Sequence, residues 1–568
     1  MAISRIPIAT SLYPVGANGS LIVDAQATTN CIFTKYPEGK LFASQRYPIN
    51  IFQYTTQPGS GTASSKGAGR GIYYWNFSIA GVSSDYTVIV NYDTIYYNSY
   101  STAAIKTIST GIDPVYFYEQ GNYLIILDPQ NNNGWYIDKA TVGTVTNLNT
   151  TVTWPFTPSR KMAGGGAVLN GILYIMDTDG KIWNSGANTP TTWNGIDFIE
   201  ASRSTDSGVF LCSQHDQIVA ISSKTIEFFY DAGNPVGSPL ERRQDLFFNT
   251  GCSDRRRVFD SGDTIFFLGA ERTGTISAWI IQDFALTDVS DDSMDVFFNT
   301  VISNSPAEFL VSGATVAGRK LFFVTSAVKE LPGLAGFGSS FSSGFSTGFG
   351  SSLNITYDVW VPSSTIAYDL NGGYWSQYTC GALSTINNIA DYPVISTSEN
   401  GIGLRGALGI MTNGDVFQYN LTGLYQDTIG ASGTYVDPSP SSTNQTLNYM
   451  TNPDDYVFDI SSSGSAPINF NVFTPEYDGD VYPYKYLFRM NLVGDTLKLA
   501  TNLTPIQVSW SDDGYSTLST PRDLATGLRR SLTRLGNFKR RAFNLSYSGT
   551  DKLQIEGIEI DTRESGYA

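Results

Sequence analysis

The chain alternates between short apolar stretches and tight polar turns along most of its length. Asn170-Gly171 precedes the apolar stretch ILYIMD, and Asp179-Gly180 then precedes KIWN. Such a pair between two apolar stretches is typical of a β-hairpin, because both residues tolerate the backbone angles of a tight turn. Comparable units are YTVIVNYDTIYYNS, VYFYEQGNYLIILD, DQIVAISSKTIEFFYD, VFDSGDTIFFLGAERTGTISAWII, GRKLFFVTS, STIAYDLNGGYWSQY and GALGIMTNGDVFQYN.

The recurrence of this unit predicts a repeat architecture made of small sheets. Hairpins follow one another roughly every 40 to 60 residues without helical periodicity between them, which is typical of the radial blades of a propeller. The units indicate six or seven sheets between Gly71 and Met450. We expect an all-β fold with a six-bladed β-propeller. A pair of β-sandwiches is the alternative, because the period is irregular and no WD or kelch motif is present.

Residues 331–354, LPGLAGFGSSFSSGFSTGFGSSLN, interrupt the hairpin pattern. Gly and Ser give such a segment conformational freedom, whereas phenylalanine is costly to leave in water. One interpretation is a projecting tip or a channel loop that meets symmetry mates. The other is a hairpin extension that packs its rings on its own blade. The rings concerned are Phe337, Phe341, Phe345 and Phe349.

From residue 455 onward the hairpin pattern gives way to a separate β-rich segment. Between residues 521 and 543 seven basic residues stand against a single acid, Asp523. Such a cluster on an acidic chain indicates a docking surface, although a solvated basic face would have the same composition. The leucines here have near-helical spacing, so a short helix competes with strands. The basic residues are Arg522, Arg529, Arg530, Arg534, Lys539, Arg540 and Arg541.

Composition and charge narrow the classes of function. Only 15% of the residues are charged, against about 25% in an average soluble domain. The formal net charge of −16 argues against a surface that grips nucleic acid, because binding a phosphate backbone requires Lys and Arg. The same charge is compatible with DNA that slides past without sticking. No stretch has the pattern of a signal peptide or of a membrane span, so we expect a soluble protein.

Residues suited to catalysis or metal binding are few. His215 is the only histidine, which excludes a multi-histidine metal site, and the neighbouring Asp216 would face the opposite way on a strand. Adjacent acids such as Asp291 and Asp292 are typical of solvated turns rather than of a glycosidase pair. The four cysteines form no C-x-x-C pair, so free buried thiols are favoured. We expect no catalytic residue, no metal site and no cofactor.

Two turns partly match known motifs. Asp177 to Gly180, DTDG, begins like a calcium loop but lacks the rest of the twelve-residue pattern. Ser511 to Leu518, SDDGYSTL, partly resembles the aspartate box of sialidase-type propellers, with Tyr515 in place of a Gly and Leu518 in place of the Trp. Both are interpreted as structural turns. A lone box gives a hydrolase little support.

Several of these stretches occur in a recognisable order. IVAISSKTIEFFYDAG is followed by Gly251 and Ser253 and then by TIFFLGAERTGTISAWII, and SWSDDGYST precedes RLGNFKRRAFNLS. In order and spacing, from roughly Gly164 to Asp561, the chain resembles the tail nozzle and packaged-DNA-stabilisation proteins of short-tailed bacteriophages, the podovirus tail tubular protein B-like family. It departs from the family at Tyr515, where a second Gly is usual, and in the insertion 331–354.

The resemblance implies a structural virion protein of the short tail, assembled in the host cytoplasm. It implies a homohexamer whose propellers ring a central channel, bound to a dodecameric portal adaptor, the head–tail connector. It further implies a gate that retains packaged double-stranded DNA and passes it at infection without specific binding. Tail fibres or a tail needle are further candidate partners.

Given this resemblance, we assign the parts of the chain from the hairpin pattern and the basic cluster. Residues 1–70 are expected to form an N-terminal β segment of a platform, 71–454 the propeller with its insertion 331–354, and 455–568 a β-rich platform that docks the adaptor. One rival is a receptor- or glycan-binding propeller of a tail fibre, for which exposed Trp and Tyr on blade loops would argue. A glycan hydrolase is the other rival.

Overall fold

A computed structural model shows a chain built almost entirely of β-strands, which confirms the all-β prediction. The described strands form nine sheets. The structure describes residues 2–14, 27–52, 68–79, 81–97, 106–150, 153–201, 203–234, 236–271, 275–291, 294–295, 297–298, 301, 308–330, 359–380, 394–398, 408–412, 414, 416–419, 426–430, 462–478, 484–494, 504–524 and 531–564.

Short helical segments supplement these strands. The 3₁₀ helices are η1 (Lys139–Thr141), η2 (Leu148–Thr150) and η3 (Arg255–Arg257). The described α-helical residues are Met294, Asp295, Phe297, Phe298 and Val301.

The leading strands of the chain and the first two blades follow one another in chain order. The leading strands are β1 (Ala2–Pro7), β2 (Cys31–Lys35), β3 (Leu41–Gln45) and β4 (Ile49–Phe52). Blade 1 is β5 (Gly69–Ile79), β6 (Val82–Asn91), β7 (Thr94–Tyr97) and β8 (Lys106–Thr107). Blade 2 is β9 (Tyr116–Gln120), β10 (Tyr123–Asp128), β11 (Asn133–Asp138) and β12 (Val145–Asn147).

Blades 3 and 4 are linked by a short parallel strand, β13 (Gly164–Gly165), which pairs with the first strand of blade 4. Blade 3 is β14 (Ala167–Leu169), β15 (Ile172–Met176), β16 (Lys181–Gly186) and β17 (Thr189–Glu200). The rest of blade 4 is β18 (Gly208–Gln214), β19 (Gln217–Ser222), β20 (Ile226–Asp231) and β21 (Leu240–Phe248).

Three more blades complete the series. Blade 5 is β22 (Thr250–Gly251), β23 (Val258–Asp260), β24 (Thr264–Glu271), β25 (Ser277–Gln282) and β26 (Ala285–Asp288). Blade 6 is β27 (Glu308–Val316), β28 (Arg319–Glu330), β29 (Val359–Asp369) and β30 (Tyr374–Tyr378). Blade 7 combines β4 with β31 (Val394–Ser398), β32 (Leu408–Met411), β33 (Val416–Tyr419), β34 (Gln426–Gly430) and β35 (Ser462–Pro467).

In the part of the chain that the structure describes, the blades form a closed ring of seven, one more than the expected six and within the six or seven sheets that the hairpin units indicate. Blade 2 joins blade 1 through the Val115 amide, which donates to the Arg70 carbonyl at 3.0 Å, and blade 7 meets blade 1 where the Gly69 amide donates to the Thr412 carbonyl at 3.1 Å. Strands of successive blades also lie side by side around the ring. From blade 2 onward the pairs are β9 and β14, β14 and β18, β18 and β23, β23 and β27, and β27 and β31, and β31 lies beside β5 of blade 1.

Each blade is packed between two neighbours, which explains the continuous apolar stretches. In β24, Ile265 and Phe267 point into the core shared with blade 4. Phe266 and Leu268 point into the core shared with blade 6. Because successive side chains of a strand point to opposite faces, a strand covered on both sides must be apolar at every position.

A strand from the N-terminal segment closes the ring. β4 pairs antiparallel with β33, with Ile51 opposite Phe417, and in parallel with β34. The ring is therefore held by strands from distant parts of the chain. β4 lies in blade 7, in contrast to the expectation that residues 1–70 serve the platform.

A second body, the terminal sandwich, combines β1, β2 and β3 with the strands that follow blade 7. They are β36 (Phe470–Phe473), β37 (Lys485–Gly494), β38 (Ile506–Ser511), β39 (Arg522–Leu524), β40 (Ser531–Thr533), β41 (Asn537–Phe538), β42 (Ala542–Tyr547) and β43 (Gln554–Glu564). One sheet has the order β2-β3-β43-β37-β40, with β1 on β43 and β41 on β37; the other has the order β36-β42-β38-β39. A core that includes Phe33, Met490 and Leu545 lies between them.

A buried ion pair joins the sandwich to the propeller. Arg46 is fully buried and binds the Asp427 carboxylate, 1% exposed, at the outer strands of blade 7. Arg46 Nε donates to Asn30 Oδ1 at 2.8 Å, and Nη2 donates to the Thr379 carbonyl at 2.8 Å. The Asn30 amide in turn donates to the Asn469 carbonyl at 2.7 Å. Segments from both bodies therefore share one polar cluster.

Candidate docking surface and propeller axis

The basic residues predicted to dock a partner differ in exposure. Arg534, Lys539 and Arg540 are exposed. Arg522 is half-buried and donates to the Thr533 carbonyl at 3.1 Å. Arg529 and Arg530 lie outside the described residues, as do the four rings of the predicted tip or channel loop, Phe337, Phe341, Phe345 and Phe349.

Arg541 does not belong to an accessible surface. Its side chain is 2% exposed, and its Nε and Nη2 each lie 2.6 Å from an oxygen of the Asp512 carboxylate. Nη1 donates to the Leu535 carbonyl at 2.6 Å, and the guanidinium lies over the rings of Trp510 and Phe538. A buried cation bonded in this way stabilises the sandwich and is out of reach of a partner. Arg541 is therefore not part of the predicted docking surface.

Three aromatic side chains that the sequence analysis did not single out lie beside the exposed basic residues. Tyr484, Tyr486 and Phe488 are 37%, 36% and 43% exposed. Lys539 Nζ lies 4.8 Å from the centre of the Tyr484 ring. The signal in the sequence is that apolar residues occupy both alternating positions of YLFRM, although only one face of β37 is buried.

The turn that resembles an aspartate box is a self-contained structural turn. Ser511 Oγ donates to Asp513 Oδ1 at 2.7 Å, and Thr517 donates to Asp513 from its amide at 2.9 Å and from its hydroxyl at 2.6 Å. These hydrogen bonds from Thr517 and Ser511 lower the pKa of Asp513. The carboxylate is thus occupied by its own turn, as the structural interpretation predicted.

The backbone conformation at position 515 explains why a Gly is usual there. The φ of Tyr515, 67°, lies in the left-handed region, which costs a residue with a side chain about 1 kcal/mol or more. The ring is buried, packs edge-on against Phe473 at 5.7 Å, and its hydroxyl donates to the Thr474 carbonyl. Burial of the ring offsets the strain of the backbone.

Asp254 and η3 form ion pairs that reach a blade that is not their neighbour, so these pairs cross the centre of the ring, and we call this group the axial plug. Arg255 Nη2 lies 2.6 Å from the carboxylate of Asp113, which precedes blade 2. Arg256 binds Asp254 and lies 3.2 Å from the carboxylate of Glu308, the first residue of blade 6. The plug leads into blade 5, so it connects three blades across the ring.

The plug is electrostatically balanced. Burial raises the pKa of Asp254, but its hydrogen bond and attraction to Arg256 outweigh burial and leave the pKa below its ordinary value. Behind the plug, fully buried Arg70 binds fully buried Asp128 at 2.6 Å, and Arg70 Nε donates to the Asp113 carbonyl at 2.9 Å. The sequence signal was the run of three arginines at 255–257 in a chain with few charges.

The other candidates for chemistry are accounted for locally. His215 lies in an exposed hairpin turn, with φ 52°, and its Nε2 is 3.1 Å from Asp283 Oδ1 in the next blade. Asp177 accepts hydrogen bonds from the Asp179 and Lys181 amides and from Trp183 Nε1 at 2.9–3.0 Å. Both features are structural, as the hairpin interpretation predicted.

The tryptophans offer little support to a glycan-binding surface. Trp279 is half-buried, and the Trp360 side chain lies outside the described residues. The buried members pack in cores between blades and are Trp75, Trp135, Trp183, Trp193 and Trp375.

Two searches of the described residues bear on the class of protein. In this part of the chain no helix is both long enough and apolar enough to span a membrane. Nor do the described residues contain a group of three or more His, Cys, Asp or Glu placed to hold a metal ion.

Comparison with known proteins adds a family. The model of the family described as bacteriophage P22 Gp10, beta-propeller, matches residues 30–325, just over half of the chain. The computationally designed Ika8 protein is 11% identical over 65% of this chain and 100% of its own, with a TM-score of 0.34. BamB from Moraxella catarrhalis is 10% identical over 74% and 98%, with a TM-score of 0.32. No curated protein matches the chain.

Proposed function

The chain belongs to the family of the bacteriophage P22 Gp10 β-propeller, a stabilisation and tail protein of short-tailed phages, and from this membership we propose that it is the tail nozzle. In this proposal six copies form a ring that continues the channel of the portal and its adaptor. The ring retains packaged DNA and passes it at infection. Family membership is the observation that carries the proposal.

The axial plug supports a DNA path between copies. Ion pairs at 2.6 Å and 3.2 Å join blades 2, 5 and 6 over the axis of the propeller. A single propeller crossed in this way leaves no room for a duplex. DNA would therefore pass through a lumen that several copies enclose, with each propeller as a wall segment.

The net charge supports passage without capture. Each chain carries −16, so six chains would together carry −96. An acidic lumen repels the phosphate backbone, whereas a DNA-binding surface would need a net excess of Lys and Arg.

We assign adaptor docking to the terminal sandwich. Arg534, Lys539 and Arg540 are exposed there, on an otherwise acidic chain. An acidic adaptor surface would complement them and orient the ring on the head. Arg522, Arg529 and Arg530 remain candidates for the same contact, and tail fibres or a tail needle remain candidate partners at other surfaces.

Imaging of the purified protein tests the ring. We expect negative-stain particles with six-fold symmetry and an axial hole, which attach to DNA-filled heads that carry the adaptor. Heads with the ring should keep their DNA protected from added nuclease longer than heads without it. Monomers that remain monomeric and unbound in the presence of adaptor-bearing heads would contradict the proposal.

Charge reversal tests the docking assignment. Lys539→Glu with Arg540→Glu should strongly slow attachment to adaptor-bearing heads and leave ring formation intact. Lys161→Glu with Lys224→Glu changes the charge equally at two exposed lysines of the propeller and serves as the matched control. Equal attachment of both double variants would sink the docking assignment without touching the ring.

The rival functions receive less support. A glycan-binding propeller would need accessible aromatic residues on its blades, and five of the seven tryptophans considered are buried. A glycan hydrolase would need an acid and a second carboxylate free to act. Of the adjacent acids considered for such a pair, Asp292 lies outside the described residues. In the two turns that partly match known motifs, Asp177 and Asp513 are bonded within their own turns.

A further inference from the structure

The outer face of the larger sheet of the sandwich exposes a cluster of apolar side chains on and beside β37. Of the ten exposed large apolar side chains among the described residues, three fall between Tyr484 and Phe488. In β37, Leu487 and Met490 are buried in the sandwich core, whereas Tyr486 and Phe488 point outward. Isolated exposed apolar residues are ordinary, but a cluster on one strand marks a contact surface.

A β-bulge lies within this exposed stretch. The register between β37 and β43 shifts between Leu487 and Arg489, so Phe488 is the extra residue. Regular alternation from buried Leu487 already points Tyr486 and Phe488 outward, and the bulge leaves Arg489 exposed as well and returns Met490 to the core. Bulges of this kind re-aim side chains at functional surfaces.

Basic side chains lie over two of the three rings. Arg563 Cζ lies 5.3 Å from the centre of the Phe488 ring, and Lys539 Nζ lies 4.8 Å from that of Tyr484. The acids of β43 on this face are less accessible: Glu559 is half-buried and Asp561 is 7% exposed. The exposed basic residues are Arg489, Arg534, Lys539, Arg540 and Arg563.

From these observations we infer that Tyr484, Tyr486 and Phe488 form the apolar anchor of a protein contact, and that its partner is a protein surface with an apolar centre and an acidic rim. Aromatic residues supply most of the affinity at such contacts, while surrounding charges set orientation and rate of association. This inference rests on the proposed function, in which the partner surface belongs to the adaptor.

Nucleic acid fits this face less well. Bases bind aromatic side chains by stacking on their faces, and here a cation lies over the ring of Tyr484 and another over that of Phe488. A second copy that presented the same face would bring like charges together. An acidic partner of another kind satisfies both the rings and the cations.

Dissociation kinetics test the anchor. Tyr486→Ala with Phe488→Ala should leave ring formation unchanged but raise the dissociation rate from adaptor-bearing heads about tenfold or more. Lys539→Glu with Arg540→Glu should mainly slow association and weaken its salt dependence. Ile196→Ala with Tyr230→Ala, at exposed propeller positions, is the matched control and should change neither rate.

Each alternative outcome is distinct. An unchanged dissociation rate of the aromatic variant overturns the anchor but leaves the nozzle proposal standing, as long as rings still attach. Loss of the ring itself would make the face a contact between copies, and lost binding to free duplex or single-stranded DNA would make it a nucleic-acid surface; both overturn the inference. If the double variant does not fold, a photoreactive phenylalanine analogue at position 488 should cross-link to the adaptor. Cross-links only to DNA or to a second copy would again overturn it.

Discussion

Strand β24 of the propeller and strand β37 of the terminal sandwich are both central strands of their sheets, yet they use their two faces differently. In β24 the four residues Ile265 to Leu268 are all buried, two towards each neighbouring blade. In β37, Leu487 and Met490 are buried while Tyr486 and Phe488 are exposed. A blade between two blades has no free face, whereas the sandwich sheet keeps one for contacts.

The charged side chains of the propeller and of the sandwich differ in a similar way. In the propeller, Arg70 and Arg255 are paired across blades with Asp128 and Asp113. In the sandwich, only Arg541 among the described members of the basic cluster is buried in a comparable way. The propeller is therefore closed by internal pairs, and we propose that the sandwich carries the surface for a partner.

The largest effect is expected from removal of the ion pair that connects the propeller and the sandwich. Replacing Arg46 with Met leaves the Asp427 carboxylate buried without its cation, which costs about 3–5 kcal/mol of unfolding free energy. Because Arg46 also binds Asn30 and the Thr379 carbonyl, the regions should then unfold separately. Calorimetry should show two transitions, where we expect one for the wild type.

A second substitution shows whether the loss of stability comes from the unpaired carboxylate of Asp427 or from the missing side chain of Arg46. Arg46→Met combined with Asp427→Asn should recover most of the stability, since the neutral amide can still accept from the Ile49 amide, which lies 3.1 Å from Asp427 Oδ1. A cost below about 1 kcal/mol for Arg46→Met alone, with a single transition, would show that the ion pair does not couple the two regions.

A smaller effect is confined to the sandwich. Tyr515→Ala removes a buried ring and keeps a side chain at a positive φ, which should cost about 3 kcal/mol. Tyr515→Gly loses the same ring but relieves the backbone, so it should be about 1 kcal/mol more stable than the alanine variant. Urea denaturation of the pair measures the difference. A glycine variant less stable than the alanine variant would contradict the role assigned to backbone strain.

The propeller could be predicted from its sequence because its signal is local. Every blade needs hairpins whose strands are apolar at successive positions, as in TIFFLG, and the turn residues mark each hairpin. The hairpin units indicate six or seven sheets, but the composition of blade 7 could not be predicted, since this blade takes β4 from before blade 1. A count along the chain cannot show a strand that returns from elsewhere.

The sandwich was harder to predict because its contacts are distant in sequence. β1 pairs with β43, with Ile6 opposite Ile558, and no local pattern shows this. Charge alone grouped Arg540 with Arg541, although one is exposed and the other buried under Asp512. Arg540 lies in a bend, whereas Arg541 forms a bridge with Tyr477, so a basic run is divided between surface and core.

Acid should weaken the axial plug. The pKa of Asp254 is lower in the folded protein than in the unfolded chain, so its contribution is present above about pH 4 and is lost as the pH falls through the folded pKa. Asp254→Asn keeps a side chain that can cap η3 but loses the charge, and should cost about 1.5–3 kcal/mol at pH 7. The difference from wild type should shrink towards pH 3. A pH-independent difference would contradict the ion-pair account.

The smallest effect uses the cysteines as reporters of the two regions. All four are free and buried. Burial raises the pKa of Cys31 and Cys212 well above the ordinary value and that of Cys252 to about 12, even though backbone hydrogen bonds oppose the shift at Cys252. Since the thiolate is the reactive form, none should react with a thiol reagent at pH 8 in the native protein.

In moderate urea the order of labelling then compares the regions directly. Cys31 lies in the sandwich core, whereas Cys212 and Cys252 lie in the core between blades 4 and 5. Because the sandwich sheet is covered on one face only, it should open at a lower free energy, and Cys31 should be modified first. Mass spectrometry of the labelled peptides resolves the order. Earlier labelling of Cys212 would mean that the closed ring is the weaker of the two bodies, since its core would then open while the sandwich core still excluded the reagent.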